Sequence, residues 1–301
     1  MFDKVQEVIT QSENVLKGKK EQVKLVVSNI LANGHTLLED VPGVGKTTLV
    51  KYLSKSCGLK VSRIQFTNDL LPADIIGSSI FNKATNSFDF HQGPLFGELV
   101  LADELNRAPP KTQSSLLQAM EERSITVEGK TYPLPPYFTV IATQNPHAQI
   151  GTYDLPESQL DRFSIKLKMG YADKNSTLAF LKDSDTEIHL EQTKKILEGS
   201  DLLTLQKQIK QIHIEDSIFD TIYTLLELSR TQSDLIPLSN RCGIDMVNLS
   251  KAWAYLEQRD YVIPDDLFYL FPYIAGHRLV HPENSDIEFE HNTALQLIHS
   301  L

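Results

Sequence analysis

The chain has 301 residues, of which 41% are apolar and 23% are charged, and its formal net charge at pH 7 is -10. These values are typical of a globular protein with one large domain or two smaller ones. The acidic balance argues against broad electrostatic binding of nucleic acid, and we interpret the short basic strip at 17–20 as a solvated surface.

The sequence carries no signal of a membrane or secreted protein. No apolar run approaches the length of a bilayer span, and the charged, amphipathic start differs from a secretory signal. The two cysteines, Cys57 and Cys242, lie far apart without metal-ligand spacing, so we expect buried free thiols rather than a disulfide or a zinc site. We therefore predict a cytoplasmic protein.

The first strong signal along the chain is a loop at 40–48 that is typical of phosphate binding. An amphipathic helix at 21–32 and a short apolar strand at 35–39 precede it, and another helix follows. Its glycines let main-chain N–H groups turn toward a phosphate, and the following helix adds its positive N-terminal end. Lys46 is expected to reach the β- and γ-phosphates, and Thr47 to ligate Mg²⁺. The candidate nucleotide-binding residues are Pro42, Gly43, Val44, Gly45, Lys46, Thr47 and Thr48.

One position of this loop departs from the usual G-x-x-x-x-G-K-[ST] pattern. Asp40 stands where the first glycine is expected, which weakens the match but leaves the phosphate donors in place. A Gly-Lys-Thr sequence alone also fits an ordinary turn. Its position between a strand and a helix favours the nucleotide site.

A pair of carboxylates after a buried strand forms the second candidate group. The elements predicted before it are a strand near 61–66, a short helix that ends at Gly77 and a hairpin at 79–90 with its polar turn at 82–86. The strand at 98–104 is nearly continuous apolar sequence that ends in Asp103 and Glu104. We expect Asp103 to hold Mg²⁺ through water, and Glu104 to orient and deprotonate the attacking water. The alternative is that two acids simply begin a solvated loop, but a phosphate loop needs such a partner strand.

A third strand leads to an asparagine that belongs to the same predicted site. The elements that lead to it are a helix at 112–122, a hairpin at 124–132 and a buried strand at 137–143. Ligands of open α/β sheets gather at the carboxyl ends of the strands, so Asn145 is expected near Lys46 and Glu104. Asn145 is expected to orient the water, although an asparagine before a proline is also a common turn residue.

Strand signals nearly stop in the last part of the chain. Alternation at 163–169 predicts a half-exposed edge strand, with Lys166 and Lys168 on its open face. The later elements are predicted helices near 196–212, 217–230, 240–257 and 264–275. We therefore predict a nucleotide-binding domain at 1–170 and a helical domain at 171–301, whose aromatic residues pack in its core.

These segments together resemble the MoxR family of AAA+ ATPases, and the resemblance runs across most of the chain. The motifs that carry it are LEDVPGVGKT at 38–47, RIQFT at 63–67, LLPAD at 70–74, LADELNRAPPKTQ at 101–113, ATQNP at 142–146 and LPESQLDRF at 155–163. The resemblance implies a P-loop NTPase core of the AAA+ type, with a five-stranded parallel sheet between helices, followed by an all-α lid. It also implies ATP and Mg²⁺ as cofactors, a homo-oligomeric ring that is commonly hexameric, and hydrolysis at subunit interfaces.

The resemblance also assigns roles to individual residues. Asn145 would be sensor 1, and Arg162 would be the arginine finger that enters a neighbour's site. The two hairpins resemble the helix-2 insert and the pre-sensor hairpin of the family. Arg241 would be sensor 2 and touch the γ-phosphate from above, although Asn240 replaces the family's usual proline and a helix-start arginine is often only a surface residue.

The function implied is that of an ATP-hydrolysing, chaperone-like motor that remodels or activates a protein partner. Partners in this family often carry a von Willebrand factor A domain, and the work resembles metal insertion or complex maturation. One alternative is a DNA-linked motor of the helicase or restriction-translocase type, against which the acidic balance argues. Another is a nucleotide-gated scaffold without hydrolysis, against which the intact Lys46, Asp103, Glu104 and Arg162 argue. We therefore expect a protein client, no nucleic-acid partner and no membrane span.

Overall fold

A computed structural model describes residues 1–41, 43–145, 152–183, 185–281 and 286–301. The strands are Thr36–Glu39 (β1), Val61–Gln65 (β2), Gly77–Asn82 (β3), Ser87–Gln92 (β4), Leu99–Asp103 (β5), Ser124–Val127 (β6), Lys130–Pro133 (β7), Thr139–Gln144 (β8) and Ile165–Leu167 (β9). The helices are Phe2–Gln11 (α1), Lys20–Leu31 (α2), Lys46–Ser56 (α3), Pro72–Ile76 (α4), Pro110–Glu122 (α5), Glu157–Leu160 (α6), Lys174–Lys182 (α7), Thr186–Gln192 (α8), Gly199–Lys210 (α9), Asp216–Thr231 (α10), Asn240–Leu256 (α11), Pro264–Leu279 (α12) and Ile287–His299 (α13).

Five of the strands form one parallel sheet in the order β2-β5-β8-β1-β9. All residues of β1 and β8 are buried, as expected for parallel strands that are covered on both faces. The other four strands form two antiparallel hairpins, β3/β4 and β6/β7, outside this sheet. The predicted AAA+ fold class and both predicted hairpins are therefore confirmed.

Alternate residues of the central strands face two different cores. Leu37 belongs to the core that contains α4 and α5, together with Val100 and Val140. Leu38 belongs to the other core, which contains α3, the N-terminal helices and the C-terminal helices. The sheet is thus the middle layer, and the carboxyl ends of its strands stay open for a site.

The N-terminal helices pack against the C-terminal helical part. The Gln6 side chain donates a hydrogen bond to the Leu256 carbonyl at 2.8 Å, and the Gln206 side chain donates one to the Ile30 carbonyl at 3.0 Å. One apolar core therefore extends across the expected domain boundary. The division at 170/171 stays a prediction.

The edge strand β9 differs from the expectation of a half-exposed strand. It lies at the sheet edge as predicted, but Lys166 is only 2% exposed. Its ammonium pairs with Glu39 at 2.9 Å and with Glu290 of α13 at 2.8 Å. The prediction of an open lysine face was wrong for Lys166, because the C-terminal helices cover this edge and supply a carboxylate, and a buried ammonium requires such a partner. Lys168 is exposed.

Both cysteines are free and buried, as predicted. Burial raises the pKa of Cys57 to about 11 and that of Cys242 to about 12, so both thiols stay protonated at neutral pH. Across the described ranges, none of the helices is both long and apolar enough to cross a membrane.

Candidate functional site

The phosphate-binding loop connects the end of β1 to the first residue of α3. Gly43 and Gly45 have φ values of 87° and 98°, a left-handed conformation that favours glycine. A Cβ placed on Gly43 would meet no described atom within 4 Å, so the space beside the loop is open. Of the predicted loop residues, Pro42 lies outside the described residues.

A cavity of about 580 Å³ lies above this loop, which is within the usual size range of small-ligand sites. It brings together most of the predicted site residues. Those that line it are Gly43, Val44, Gly45, Lys46, Thr47, Thr48, Asp103, Glu104 and Asn145. Its other walls include Leu16, Lys19, Tyr171, Phe180 and Leu190, so the cavity has apolar as well as polar lining.

Lys46 is a buried cation in this cavity. Its ammonium donates a hydrogen bond to the Asp40 carbonyl at 2.6 Å. Burial lowers the pKa of Lys46, and nearby carboxylates, of which Asp40 has the largest effect, oppose that change. A phosphate group would provide this cation with a stronger partner than a neutral carbonyl does.

Asp103 ends β5 and is held by two side chains from neighbouring strands. Its Oδ1 accepts a hydrogen bond from the Thr143 hydroxyl, and its Oδ2 accepts one from Arg63, both at 2.8 Å. The next residue, Glu104, has φ 57°, which is uncommon outside glycine. Its N–H donates to the Thr143 hydroxyl oxygen at 2.8 Å, which stabilises this turn. The turn directs the chain so that both carboxylates line the cavity.

The Glu104 carboxylate has three hydrogen-bond donors. Gln65 donates to Oε2 at 2.9 Å and Arg107 donates to the same oxygen at 2.8 Å. The Asn145 amide donates to Oε1 at 3.3 Å. The structure therefore places Asn145 beside Glu104, at the sheet edge where the sequence predicted it.

Sequence reasoning missed four residues of this site: Arg63, Gln65, Arg107 and Thr143. Strand register was the signal that could have found Gln65, since it pairs with Asp103 across β2 and β5. A polar residue at the carboxyl end of the neighbouring strand is the expected partner of a site carboxylate.

Arg162 and Arg241 lie away from this cavity and close to each other. Arg162 donates to the Leu117 carbonyl at 3.1 Å and pairs with the Glu121 carboxylate of α5. Arg241 pairs with the other oxygen of the same carboxylate at 2.7 Å. Neither arginine is among the described residues that line the cavity.

The predicted cofactor pair fits the residues around the cavity. Thr47 and Asp103 offer hydroxyl and carboxylate oxygens, which are the hard ligands that Mg²⁺ prefers. Loop amides and Lys46 supply the donors that a triphosphate requires. The residues present therefore suit both Mg²⁺ and a triphosphate.

Comparison with known proteins agrees with this geometry. Residues 35–165 match the family described as ATPases associated with various cellular activities (AAA), and residues 236–296 match an AAA lid domain. Protein YeaC of Bacillus subtilis, which is uncharacterized, is 46% identical over 271 residues, or 89% of this chain and 85% of YeaC.

A named chaperone and a solved structure are also similar to this chain. Chaperone MoxR1 of Mycobacterium tuberculosis is 35% identical over 286 residues, or 92% of this chain and 75% of MoxR1. A crystal structure of a candidate ATPase from Cytophaga hutchinsonii has a TM-score of 0.87 and 36% identity, and the match covers 98% of this chain and 94% of that chain. The chain therefore belongs to the MoxR family of AAA+ ATPases.

Proposed function

We propose that this chain binds ATP with Mg²⁺ in the cavity above the phosphate loop and hydrolyses the terminal phosphate. The observation that carries the proposal is the position of Glu104, a strand-end carboxylate that shares one cavity with the loop lysine and accepts a hydrogen bond from Asn145. Membership of an ATPase family supports the same reaction.

The loop residues would bind the phosphates, and the acids would act on the water. Lys46 and the loop amides would contact the phosphate oxygens, while Thr47 and Asp103 would hold Mg²⁺. When bound, Mg²⁺ neutralises charge on the β- and γ-phosphate oxygens.

Glu104 would accept the proton of the attacking water. Gln65 and Arg107 occupy its Oε2, so Oε1, beside the Asn145 amide, is the oxygen that would take the proton. In this arrangement Asn145 would orient the water between the base and the phosphate.

We further propose that the chain works as a ring, with six subunits as the expected number. Arg162 and Arg241 share Glu121 at a distance from their own cavity, and a site that needs an arginine on its terminal phosphate would then obtain it from a neighbouring subunit. Because the two arginines lie side by side, we extend to Arg241 the role across the interface that the family implies for Arg162.

A protein client is the partner that we propose. The hairpin β3/β4 carries exposed apolar side chains at its tip, with Phe88 69% exposed and in edge contact with Phe81. Such side chains suit a protein surface better than a phosphate backbone, and the net charge of -10 disfavours nucleic acid. Clients with a von Willebrand factor A domain, a role in metal insertion or complex maturation, and a cytoplasmic location are the finer parts of this proposal.

Replacement of the base tests the proposed reaction. Glu104→Gln keeps the shape of the side chain and removes the proton acceptor, so ATP should still bind while phosphate release falls by about 10²- to 10⁴-fold. Glu122→Gln, which makes the same change at an exposed position of α5, should behave as the wild type. Calorimetry and a phosphate-release assay measure the two properties separately, and unchanged turnover in Glu104→Gln would exclude Glu104 as the base.

A further inference from the structure

Asp40 occupies the loop position where a glycine is usual, and its carboxylate is buried and bonded. The residue is 5% exposed. Its Oδ1 accepts a hydrogen bond from the Val41 N–H at 2.8 Å, within the loop itself. Its Oδ2 accepts one from the Gly170 N–H at 2.6 Å. A glycine at position 40 has no side chain to make either contact. The aspartate therefore connects the phosphate loop to a segment that is remote in sequence.

The segment that Asp40 contacts leads into one wall of the cavity. Gly170 follows β9 and has φ 65°, and Tyr171, Thr177 and Phe180 after it line the cavity. Helix α7, which carries two of these residues, has no buried residue. Lys17 holds the far end of this helix, since its ammonium pairs with Asp183 at 3.2 Å and donates to the Ala179 carbonyl at 3.3 Å. The near end of the wall depends on how the chain is held at Gly170.

Lys19 binds the main-chain carbonyls of the same segment. Its ammonium donates hydrogen bonds to the carbonyls of Met169 and Gly170, each at 2.8 Å, and the residue is 5% exposed. Gly170 thus donates its N–H to a carboxylate and offers its carbonyl to an ammonium. Both partners are charged, and such hydrogen bonds are stronger than those between neutral groups.

The Asp40 carboxylate also acts electrostatically on both Lys19 and Lys46. Burial lowers the pKa of Lys19, and the Asp40 carboxylate is the largest effect that opposes this change. Asp40 is likewise the leading carboxylate that acts on Lys46. A phosphate bound to Lys46 would be repelled by Asp40, and Lys19 would be the cation that reduces this repulsion.

We propose that Asp40 and Lys19 are paired positioning residues, which connect the phosphate loop to the cavity wall at 170–180 and together set the affinity for nucleotide. This inference rests on the proposed function, because it requires a nucleotide in the cavity. Neither residue is assigned to the chemical step.

A double-mutant cycle with ADP as the probe tests the pairing. Lys19→Met keeps most of the side-chain length but leaves Asp40 without its counter-charge, so ADP affinity measured by calorimetry should fall about tenfold. In an Asp40→Asn background the same Lys19→Met change should cost less than about threefold, because the charge to be balanced is gone. Lys20→Met, which removes an exposed lysine one residue away, should leave affinity unchanged.

Hydrogen exchange provides a second measurement that does not depend on the lysine variant. ADP should slow exchange in peptides that cover 169–182 of the wild type. In Asp40→Gly these peptides should exchange about tenfold faster without ligand and lose their response to ADP, even though ADP still binds. Asp40→Asn keeps one acceptor oxygen, so the exchange rate of its peptides should lie between those of the wild type and Asp40→Gly.

The outcomes separate this inference from the function on which it rests. If the wild type fails to bind ADP, the proposed function is wrong. If the wild type binds ADP but the Lys19 and Asp40 effects simply add, the pairing is wrong and the nucleotide site stands. Equal exchange at 169–182 in the wild type and Asp40→Gly would overturn the connection to the cavity wall, whether or not Lys19→Met folds.

Discussion

The two groups of predicted site residues differ in how complete they are within one chain. Around the phosphate loop, Lys46, Asp103 and Glu104 line one cavity, and the two acids accept hydrogen bonds from side chains of neighbouring strands. Arg162 and Arg241 instead share the carboxylate of Glu121 at a different place. The loop group (Lys46, Asp103 and Glu104) is positioned by the parallel sheet. The arginine group (Arg162 and Arg241) is positioned by contacts with α5.

In the proposed ring, one subunit would bind the nucleotide and its neighbour would supply the arginines. A sheet edge can assemble a binding site from a single chain, because its strands end side by side. Within one subunit the two arginines contact Glu121 and do not line the cavity, so in the proposed ring they would contact a phosphate held by a neighbouring subunit. Breaking each group separately tests this division.

The largest effect is expected for the arginine group. Arg162→Ala should leave ATP binding nearly unchanged and lower hydrolysis by roughly 10³- to 10⁵-fold, the range seen for arginines that stabilise a transferring phosphoryl group. A phosphate-release assay measures hydrolysis by the variant, and calorimetry measures its ATP binding.

Mixing Lys46→Ala with Arg162→Ala, at an ATP concentration too low to fill the Lys46→Ala loop, tests whether Arg162 acts between subunits. Lys46→Ala retains its arginine and Arg162→Ala retains its loop, so in randomly mixed rings roughly a quarter of the interfaces would be intact. Activity should return on mixing. If activity does not return although the variants co-assemble, two explanations remain: Arg162 acts within its own subunit, or the ring needs several intact sites. A titration of wild-type chains with variant chains separates them, since only the second explanation gives a steeper than linear loss of activity.

A smaller effect is expected for the loop group. Lys46→Ala removes the cation that would contact the phosphates, and ATP affinity should fall by about 10- to 100-fold. Lys60→Ala removes an exposed lysine and is the matched control. Undiminished ATP binding by Lys46→Ala in calorimetry would argue against the whole cavity as a nucleotide site.

The loop group was largely predictable from sequence for a local reason. Runs such as 98–104 reveal a buried strand through apolar residues alone, and the polar residues that follow must lie at the sheet edge. Glycine at positions 43 and 45 also permits the positive φ that the loop adopts there. These features involve few residues that are distant in the chain.

The arginine group and the edge strand depend on packing between distant segments. The start of α11 at Asn240 was predicted from sequence, but nothing local places Arg241 opposite Glu121, 120 positions earlier. The burial of Lys166 was missed for the same reason, because its partner Glu290 lies in α13, a helix that the prediction did not include. Alternation of apolar and charged residues predicts a half-exposed strand when no partner for the charged residues is known.

The contact between Gln65 and Glu104 allows the loop group to be refined. Gln65→Ala removes one donor from the carboxylate and should lower turnover by about 3- to 10-fold without changing ATP affinity. Gln65→Glu should lower turnover further, since it replaces the amide donor with a carboxylate that repels the Glu104 carboxylate. Wild-type turnover in both variants would mean that Gln65 does not act on Glu104.

The smallest effect is expected at Glu121, which connects the two arginines. The residue is solvent-accessible, with its side chain 43% exposed, so Glu121→Gln should change the free energy of unfolding by no more than about 1 kcal/mol. Arg241, and to a lesser extent Arg162, lowers the pKa of Glu121. The stabilisation from this pairing is therefore complete above the ordinary glutamate pKa and is lost as the pH falls through the lowered value. The difference in unfolding free energy between wild type and variant should shrink in that acidic range.

The functional result of Glu121→Gln decides what the carboxylate does for the arginines. If Glu121 competes with a neighbour's phosphate for Arg162 and Arg241, its removal should raise ATP turnover about twofold to threefold at subunit concentrations where rings are incomplete, because less pairing must be broken. Turnover and sedimentation measured over a dilution series test this, with Glu122→Gln as the matched control on the same helix. A fall in turnover at every concentration would instead show that Glu121 orients the two arginines, and the contrast between a complete loop site and a withheld arginine pair would then need to be abandoned.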